Sequence, residues 1–288
     1  MKWVNLLLVL LILITPSGHA NTIFNRETVS KCIVFIVNKR IATTDFNDKE
    51  AEIWLRYSDS DEYIPKTENI YGSGFFVSNN NVLFLVTASH VAKSMTMGSN
   101  IMIMGKNGES TPIPILQLNG NTDKLNWIHH SEADVAVLEL NPSIELFNSH
   151  LQNRFLPYEI LFKELKAPSR TIPLIVFGFP LGIGVSNKFS PLTKQTHCAS
   201  EIITLKRFDK PINTEFFILE DPSVEGYSGG PVFDLSVYNM GAITTTGSGT
   251  QLYGLIHGTS SDNTGGKLAA VVPCYFIVQT IQNALNAK

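Results

Sequence analysis

Short runs of apolar and β-branched residues recur along this chain, separated by positions rich in Gly, Asn, Pro and Asp. In the first half this pattern predicts strands at 32–37, 74–77, 82–86, 101–104, 113–118 and 135–140. In the second half it predicts strands at 172–177, 201–205, 216–219, 252–256 and 268–272. Many short strands with turn residues between them indicate an all-β sandwich or barrel, and not an alternation of strands and helices.

The C-terminal segment has a different period. From 275 to 285 the positions that share one helical stripe are apolar or small, which predicts an α-helix; they are Phe276, Ile277, Thr280, Ile281 and Leu285. Two segments show no clear strand pattern. We expect the polar stretch 43–69 to be a long surface insertion, and 141–170 to link two strand-rich halves with a short helix.

The first twenty residues are typical of a secretory signal peptide. Lys2 precedes an apolar run at 4–14 that is broken only by Asn5, and small residues lead up to Ala20. We therefore predict cleavage after Ala20 and a soluble protein, secreted or periplasmic. A membrane anchor is the alternative, but a spanning helix needs roughly 20 apolar residues and this run is about half that long.

Removal of that segment leaves 288 − 20 = 268 residues, a length that fits one large β domain or two small ones. One lysine is removed with it, so 22 − 1 = 21 basic and 25 acidic side chains give a net charge of 21 − 25 = −4 with histidine neutral. This weakly acidic balance indicates neither nucleic acid nor a membrane surface as a partner.

Three cysteines, Cys32, Cys198 and Cys274, lie far apart and match no metal-ligand spacing. An exported chain can pair two of them. Cys198 with Cys274 is the first candidate, because both fall in the C-terminal half, and Cys32 is then a buried free thiol. The absence of any disulfide is an equal alternative.

Three segments offer the parts of a nucleophilic catalytic site. Residues 225–231 read Glu-Gly-Tyr-Ser-Gly-Gly-Pro and place Ser228 among glycines, which let backbone amides converge on the atom that the serine attacks. Two upstream segments supply His90 and Asp134. A serine hydroxyl is a poor nucleophile and needs a base within hydrogen-bond reach, with a carboxylate that orients the base. We therefore predict that these three residues are catalytic.

The order of these residues is histidine, aspartate, serine, with separations of 134 − 90 = 44 and 228 − 134 = 94 residues. This is the order of chymotrypsin-like proteases. The Thr-Ala-Ser-His run ending at His90, the Asp-Val-Ala-Val-Leu run from Asp134 and the Gly-Tyr-Ser-Gly-Gly-Pro run around Ser228 resemble elements of the trypsin-like serine peptidase family. The resemblance extends from the strand at 71–77 to the C-terminal helix.

The resemblance implies two antiparallel six-stranded β-barrels, chymotrypsin-like, with the active site in the cleft between them and a C-terminal α-helix. The implied layout is an N-terminal barrel at 21–140 carrying histidine and aspartate, a linker at 141–170, and a C-terminal barrel at 171–288 carrying the serine. It also implies that the amides of Gly226 and Ser228 form the oxyanion hole. We expect a peptide or protein substrate, no cofactor and no metal, and we favour a monomer.

A glycine-flanked serine also fits the nucleophile elbow of α/β-hydrolases. In that fold the acid and the histidine follow the serine, which leaves Asp234 or Asp262 and His257. It also requires a parallel sheet with many helices, so the strand-rich pattern argues against it.

Tyr227 is a departure from the family pattern. It stands where activatable members carry an aspartate that pairs with a newly freed N-terminal amine. Since this carboxylate is missing, we expect that cleavage after Ala20 is not an activation step of that kind.

The residues that select the substrate are predicted at Pro222, His257 and Gly258. Pro222 stands where trypsin has the acid that recognises Arg or Lys, so a basic preference is not expected. Residues 252–258 resemble the strand that lines the specificity pocket of this family. In glutamyl endopeptidases, a histidine two positions after the glycine of that strand holds the acidic side chain of the substrate. His257 follows Gly254 by three, which turns it to the other face unless a bulge intervenes. A small or apolar preference is the main hypothesis and an acidic one the minor hypothesis.

The main functional prediction is an exported serine endopeptidase. A catalytically quiet trypsin-like domain that binds a peptide or partner is the alternative from another class, and an esterase would share the same nucleophile.

Overall fold

The structure is a computed structural model that describes residues 23–41, 43–46, 49–56, 63–240, 243–261 and 267–287. The predicted signal peptide at 1–20, and Asp262 of the hydrolase alternative, lie outside the described residues. In the part of the chain that is described, no helix is both long and apolar enough to cross a membrane.

Among the described residues up to 170, the strands are β1 (Ile33–Ile41), β2 (Thr43–Phe46), β3 (Lys49–Glu52), β4 (Trp54–Arg56), β5 (Tyr63–Pro65), β6 (Thr67–Asn79), β7 (Val82–Thr87), β8 (Asn100–Met104), β9 (Ser110–Pro114), β10 (Ile128–His129), β11 (Ala136–Leu140) and β12 (Leu156–Pro157). The second half contains β13 (Leu174–Gly178), β14 (Leu192–Thr196), β15 (Ile203–Lys206), β16 (Asn213–Leu219), β17 (Pro231–Asp234), β18 (Val237–Met240), β19 (Ile243–Thr246), β20 (Gln251–Ser261) and β21 (Lys267–Pro273).

Helices are few and mostly short: α1 (Arg26–Ser30), α2 (Ser89–Ser94), α3 (Ile115–Leu118), α4 (Ile144–Leu146) and α5 (Cys274–Asn286). A π-helical turn follows α4 at Phe147–Leu151, and 3-10 turns lie at Tyr158–Ile160 and Pro180–Gly182. The prediction of an all-β chain with one C-terminal helix is confirmed.

The first main sheet has eight strands in the order β10-β11-β7-β6-β1-β8-β9, with β12 added beside β6. Strand β7 pairs with β11 so that Thr87 lies opposite Ala136. His90 follows the end of β7 and Asp134 precedes the start of β11. The register of this antiparallel pair therefore brings the two predicted residues to the same edge of the sheet.

The second main sheet has seven strands in the order β14-β13-β17-β20-β21-β16-β15. The segment with Ser228 leads into β17, whose first residue, Pro231, lies opposite Leu255 of β20. Strand β20 also pairs with β21, and this ladder shifts register between Ile256 and Gly258. His257 is thus the extra residue of a β-bulge, close to the serine segment.

Neither main sheet is a closed barrel of six strands, so this detail of the predicted architecture is wrong. The described strands β9 and β10 are the two ends of the first sheet, and β14 and β15 are the ends of the second. Closure requires each strand to be paired on both sides.

Local hairpins account for most of the strands that the sequence pattern missed. The polar stretch 43–69 contains the pairs β2–β3 and β4–β5, which stand apart from the main sheets. The predicted strand at 113–118 ends at Pro114 and continues as the helical turn α3.

Both main sheets contribute to one hydrophobic core. Phe75 and Phe84 of the first sheet belong to the same buried cluster as Phe177 and Phe233 of the second. Helix α5 packs against β11 and β20, and so contacts both sheets. The two strand-rich halves therefore pack as one body around a shared interior.

All three cysteines are buried and unpaired, so the suggested Cys198–Cys274 bridge is wrong. Cys274 begins α5, whereas Cys198 forms an isolated bridge with Leu219 in the second sheet. Burial raises the pKa of both thiols, and it raises the pKa of Cys32 to about 12. These cysteines are core residues and not reactive thiols.

Candidate active site

His90 and Asp134 form a close hydrogen-bonded pair. The Nδ1–H of His90 donates to Asp134 Oδ2 at 2.7 Å, and the backbone N–H of His90 donates to Asp134 Oδ1 at 3.0 Å. The aspartate side chain is fully buried, while that of His90 is 22% exposed. The pair thus holds the imidazole in one orientation, with Nε2 left for other partners.

The turn that carries Asp134 is held by a second histidine. His130 Nδ1 accepts hydrogen bonds from the backbone N–H groups of Glu132 (3.1 Å) and Ala133 (2.9 Å). Its Nε2–H then donates to Gln279 Oε1 on α5 at 3.0 Å. His130 is buried, and its ring contacts Phe276 of α5 at 5.0 Å between ring centroids.

Asp134 has two further partners, both from the second half of the chain. His257 Nδ1 lies 2.6 Å from Asp134 Oδ2, and Arg207 Nη2 donates to Asp134 Oδ1 at 3.0 Å. The backbone N–H of Phe208 points at His257 Nε2 at 3.4 Å, so the ring carries its proton on Nδ1 and donates it to the carboxylate. Sequence reasoning did not single out Arg207.

The ionisation of Asp134 follows from these contacts. Burial alone would raise the pKa of this carboxyl group. Electrostatic attraction to the His90 ring and the hydrogen bonds from His257 and His90 outweigh burial, so the pKa lies well below its ordinary value. The carboxylate is therefore ionised at neutral pH.

The loop with Ser228 is fastened to both sheets. The N–H of Ser73 on β6 donates to Ser228 O at 2.8 Å, and the Ser73 hydroxyl donates to Gly226 O at 2.6 Å. On the other side, Gly229 N donates to Ile256 O at 2.8 Å. Ser73 is a positioning residue that sequence reasoning had noted only as part of the strand at 71–77.

Ser228 lies beside His257. Ser228 Oγ donates to the carbonyl oxygen of His257 at 3.2 Å. The rings of His257 and His90 are 6.0 Å apart. Across the described residues no hydrogen bond joins Ser228 Oγ to His90.

The amides of Gly226 and Ser228 donate to no protein acceptor in the described part of the chain. Gly226 has φ +96°, and a Cβ there would lie 2.2 Å from Phe179 O. The loop thus requires glycine at this position both for its left-handed conformation and for the close approach of the backbone.

A comparison with known families gives this site a context. Residues 72–238, more than half of the chain, match the family of trypsin-like peptidase domains. The chain belongs to this family. The match supports a serine-type peptidase and spans His90, Asp134 and Ser228.

Several solved structures are distantly similar to this trypsin-like domain. The inactive form of the Rv3671c protease from M. tuberculosis is 14% identical, with a TM-score of 0.48 and coverage of 89% of this chain and 90% of that one. The active form of that protease has the same identity and TM-score, with 89% and 82% covered. An HtrA-type protease, AlgW with a tripeptide, is 14% identical, with a TM-score of 0.46 and 89% and 60% covered. No curated protein matches the sequence.

The residues predicted to bind substrate occupy different surroundings in the trypsin-like domain. The His257 ring is buried at Asp134, between Phe208 and Phe216, because the bulge in β20 turns it inward. Gly258 lies under Phe208, whose Cε1 would be 2.6 Å from a Cβ at that position. Phe208 is 59% exposed and also contacts His90, with 4.9 Å between ring centroids.

Pro222 lies beside a very small cavity of about 10 Å³, lined also by Ser223, Tyr227 and Ile256. That volume holds about one water molecule. Its surroundings are tied together, since Lys194 Nζ donates to Pro222 O at 2.6 Å and Thr259 Oγ1 donates to Ser223 O at 2.8 Å. Tyr227 itself is buried, and its ring packs against Gly178.

The three side chains His90, Asp134 and His257 offer nitrogen and oxygen atoms within 4.8 Å of one another, a spacing that a metal ion can bridge. The ring N–H groups already donate to the carboxylate at 2.6 and 2.7 Å. We therefore interpret the cluster as a hydrogen-bonded network.

Proposed function

We propose that this chain is a serine endopeptidase in which Ser228 is the nucleophile, His90 the base and Asp134 the orienting carboxylate. The observation that carries the proposal is the 2.7 Å contact between His90 Nδ1 and Asp134 Oδ2, with Ser228 fixed in the adjacent glycine-rich loop. Membership in the family of trypsin-like peptidase domains supports the same chemistry.

In the acylation step, Ser228 Oγ attacks the carbonyl carbon of the scissile peptide bond and its proton moves to His90 Nε2. Asp134 stabilises the imidazolium ion that forms. The oxyanion accepts hydrogen bonds from the N–H groups of Gly226 and Ser228. When the tetrahedral intermediate collapses, His90 gives the proton to the leaving amine, and an ester to Ser228 remains.

In deacylation, water attacks the carbonyl carbon of this ester while His90 takes one of its protons. A second tetrahedral intermediate collapses, the proton returns to Ser228 Oγ, and the carboxylic acid product leaves. The serine is regenerated, and no cofactor is consumed.

A second candidate function is a quiet peptidase domain that binds a peptide in the cleft. The orientation of the Ser228 hydroxyl favours it, because this group donates to His257 O and not to His90. The endopeptidase reading requires rotation about the serine Cα–Cβ bond when substrate binds. Catalytic hydrogen bonds often become short only in the complex with substrate.

We also propose that the substrate has a small side chain before the scissile bond. The cavity beside Pro222 has room for little more than a methyl group, and the backbone of Ser223, which lines it, is held by a hydrogen bond from Thr259. Burial of His257 at Asp134 removes it as a partner for an acidic substrate side chain. A peptide library should show cleavage after Gly or Ala, and preferential cleavage after Glu would contradict this specificity.

We propose export of the protein, supported by the pattern of residues 1–20. Expression of the full chain in a bacterium, with fractionation and sequencing of the mature N-terminus, tests it. Asn21 should be the first residue, and recovery in the cytoplasm with Met1 retained would count against export.

Labelling with a fluorophosphonate probe tests the catalytic proposal. The wild-type protein should react covalently at one serine, and Ser228→Ala should abolish the label while the protein stays folded. A folded wild-type protein that does not react would favour the quiet binding domain. Cleavage of peptides as well as simple esters separates a peptidase from an esterase, because an esterase spares amides.

A further inference from the structure

The loop between β15 and β16 inserts a charged side chain from the second sheet into the site of the first. Arg207 is buried with its guanidinium inaccessible, and Nη2 donates to Asp134 Oδ1 at 3.0 Å. Its Nη1 donates to Glu132 O in the turn that carries Asp134, at 2.7 Å. The negative charge of Asp134 stabilises the protonated form of His90. The positive charge of Arg207 weakens this effect.

Asp209, in the same loop, forms an ion pair with Arg207. Arg207 Nε donates to Asp209 Oδ1 at 2.8 Å, and Arg207 Nη2 donates to Asp209 Oδ2 at 2.6 Å. The guanidinium therefore lies between two carboxylates, and the paired geometry with Asp209 is the stronger contact. The trio of Asp134, Arg207 and Asp209 keeps one net negative charge beside His90.

Other charged and titratable groups lie near this cluster of Asp134, Arg207 and Asp209: Lys93 on α2, Lys210 on the β15–β16 loop, His129 on β10 and His257 on β20. Lys93 Nζ is 4.0 Å from Asp209 Oδ2. Burial and the neighbouring Lys93 lower the pKa of Lys210. Asp209 thus faces three cationic side chains, and without it Asp134 would face them alone.

We propose that Asp209 is a positioning residue which, by neutralising Arg207, leaves Asp134 free to stabilise protonated His90 and so sets the pH range of catalysis. This inference rests on the proposed function. Removal of the Asp209 charge makes the imidazolium ion less stable. His90 then stays deprotonated to lower pH, but it is a weaker base in the transition state.

The decisive measurement is the pH dependence of the second-order rate of fluorophosphonate labelling. Asp209→Asn should move the acid limb of this profile to lower pH by about 0.5–1 unit. The plateau rate should fall by about three- to tenfold. Asp123→Asn removes the same charge from an exposed loop away from the cluster and should leave the profile unchanged.

Two further variants separate charge from packing. Asp209→Glu keeps the charge and should keep the acid limb of the wild type. The double variant R207M/D209N removes both charges of the buried pair and leaves Asp134 as the single negative charge, so its limb should lie close to that of the wild type. If D209N does not fold, R207M/D209N is compared with R207M, whose limb should lie at higher pH because two carboxylates then stabilise protonated His90; apolar replacement of a buried ion pair is often well tolerated.

The result that would overturn the inference is a lower rate at every pH with the acid limb in its wild-type place. A limb displaced equally in D209E and D209N would overturn it too. If the folded wild-type protein does not label at all, the proposed function fails. The inference is then tested by NMR titration of the His90 imidazole. The titration midpoints of the variants should follow the order given above for their acid limbs.

Discussion

Gly226 illustrates how a single residue can fix the chemistry of this loop. Its φ of +96° is unfavourable for any side chain, and the space beside it is occupied by Phe179 O. The N–H of Leu181 donates to Glu225 O at 2.8 Å, which holds the preceding peptide in place. The amide of Gly226 is therefore fixed in a direction that only glycine allows.

We predict that Gly226→Ala lowers kcat/KM by at least a hundredfold. A Cβ at 2.2 Å from Phe179 O forces the loop to move, and this displaces one of the two amides proposed to bind the oxyanion. Loss of one such donor costs about 2.7–4 kcal/mol of transition-state stabilisation. Steady-state kinetics on a cleaved peptide measure the effect, and a β-branched replacement should be at least as severe.

Gly108 offers a matched control, because it also has a positive φ, of +80°, with nothing within 4 Å of a Cβ. Gly108→Ala carries the backbone strain without the clash and should keep normal activity. If Gly226→Ala is as active as Gly108→Ala, the amide of Gly226 is not part of the oxyanion site.

His257 shows where reasoning on single residues from the sequence stops. Strand alternation indicated that this side chain would face away from the substrate unless a bulge intervened. A bulge does intervene between Ile256 and Gly258, yet the ring turns inward to Asp134. The direction depends on the position of Asp134, 123 residues earlier, and on the Phe208 and Phe216 rings that enclose His257. No local pattern encodes those contacts.

The turn before β11 is an element whose geometry depends on His130. This ring accepts two backbone hydrogen bonds through Nδ1 and donates to α5 through Nε2. Only the neutral imidazole can do both. Burial accordingly lowers the pKa of His130, with the Gln279 hydrogen bond opposing the shift.

We predict that His130→Leu lowers the free energy of unfolding by about 1–3 kcal/mol at pH 7.5, because two backbone N–H groups lose their acceptor. The sign of the pH effect follows from the lowered pKa. Below about pH 6.5 the unfolded state binds more protons than the folded state, so the wild-type protein loses stability as pH falls. Urea unfolding should therefore show a smaller difference between variant and wild type at pH 5.5.

His150→Leu is the control for loss of a histidine elsewhere, in the π-helical turn after α4. The difference in free energy of unfolding between His150→Leu and the wild-type protein should not become smaller from pH 7.5 to pH 5.5. A His130→Leu difference that stays constant or grows at pH 5.5 would contradict the role given to the neutral ring.

Elements with a buried face were the ones that the sequence predicted well. The apolar runs of β1, β7 and β11 and the stripe of α5 mark surfaces that the core covers. Strands β2 to β5 pair only with one another in local hairpins. Their sequences show no clear alternation of apolar and polar residues, so the pattern predicted an insertion without strands.

Asp134 is a point at which side chains from both sheets meet. The carboxylate belongs to the first sheet, whereas Arg207 and His257 approach it from the second. The His-Asp-Ser order predicted that the site joins both halves. It did not predict this ion pair, because an arginine in a polar loop gives no sign that it will be buried.

Stability in acid tests that connection. The pKa of Asp134 is lower in the folded state, so its contribution to stability is complete above the ordinary carboxyl pKa of about 3.9. It is lost as pH falls below that value towards the folded pKa. We predict that Asp134→Asn lowers the free energy of unfolding by about 3–5 kcal/mol at pH 6, since Arg207 is left as a buried charge with one partner fewer.

Because the wild-type protein loses this contribution in acid, the difference in free energy of unfolding between Asp134→Asn and the wild type, measured with urea, should shrink at pH 3. The exposed Asp123→Asn should show no such convergence, and an Asp134→Asn difference as large at pH 3 as at pH 6 would mean that the carboxylate does not bind the two sheets together.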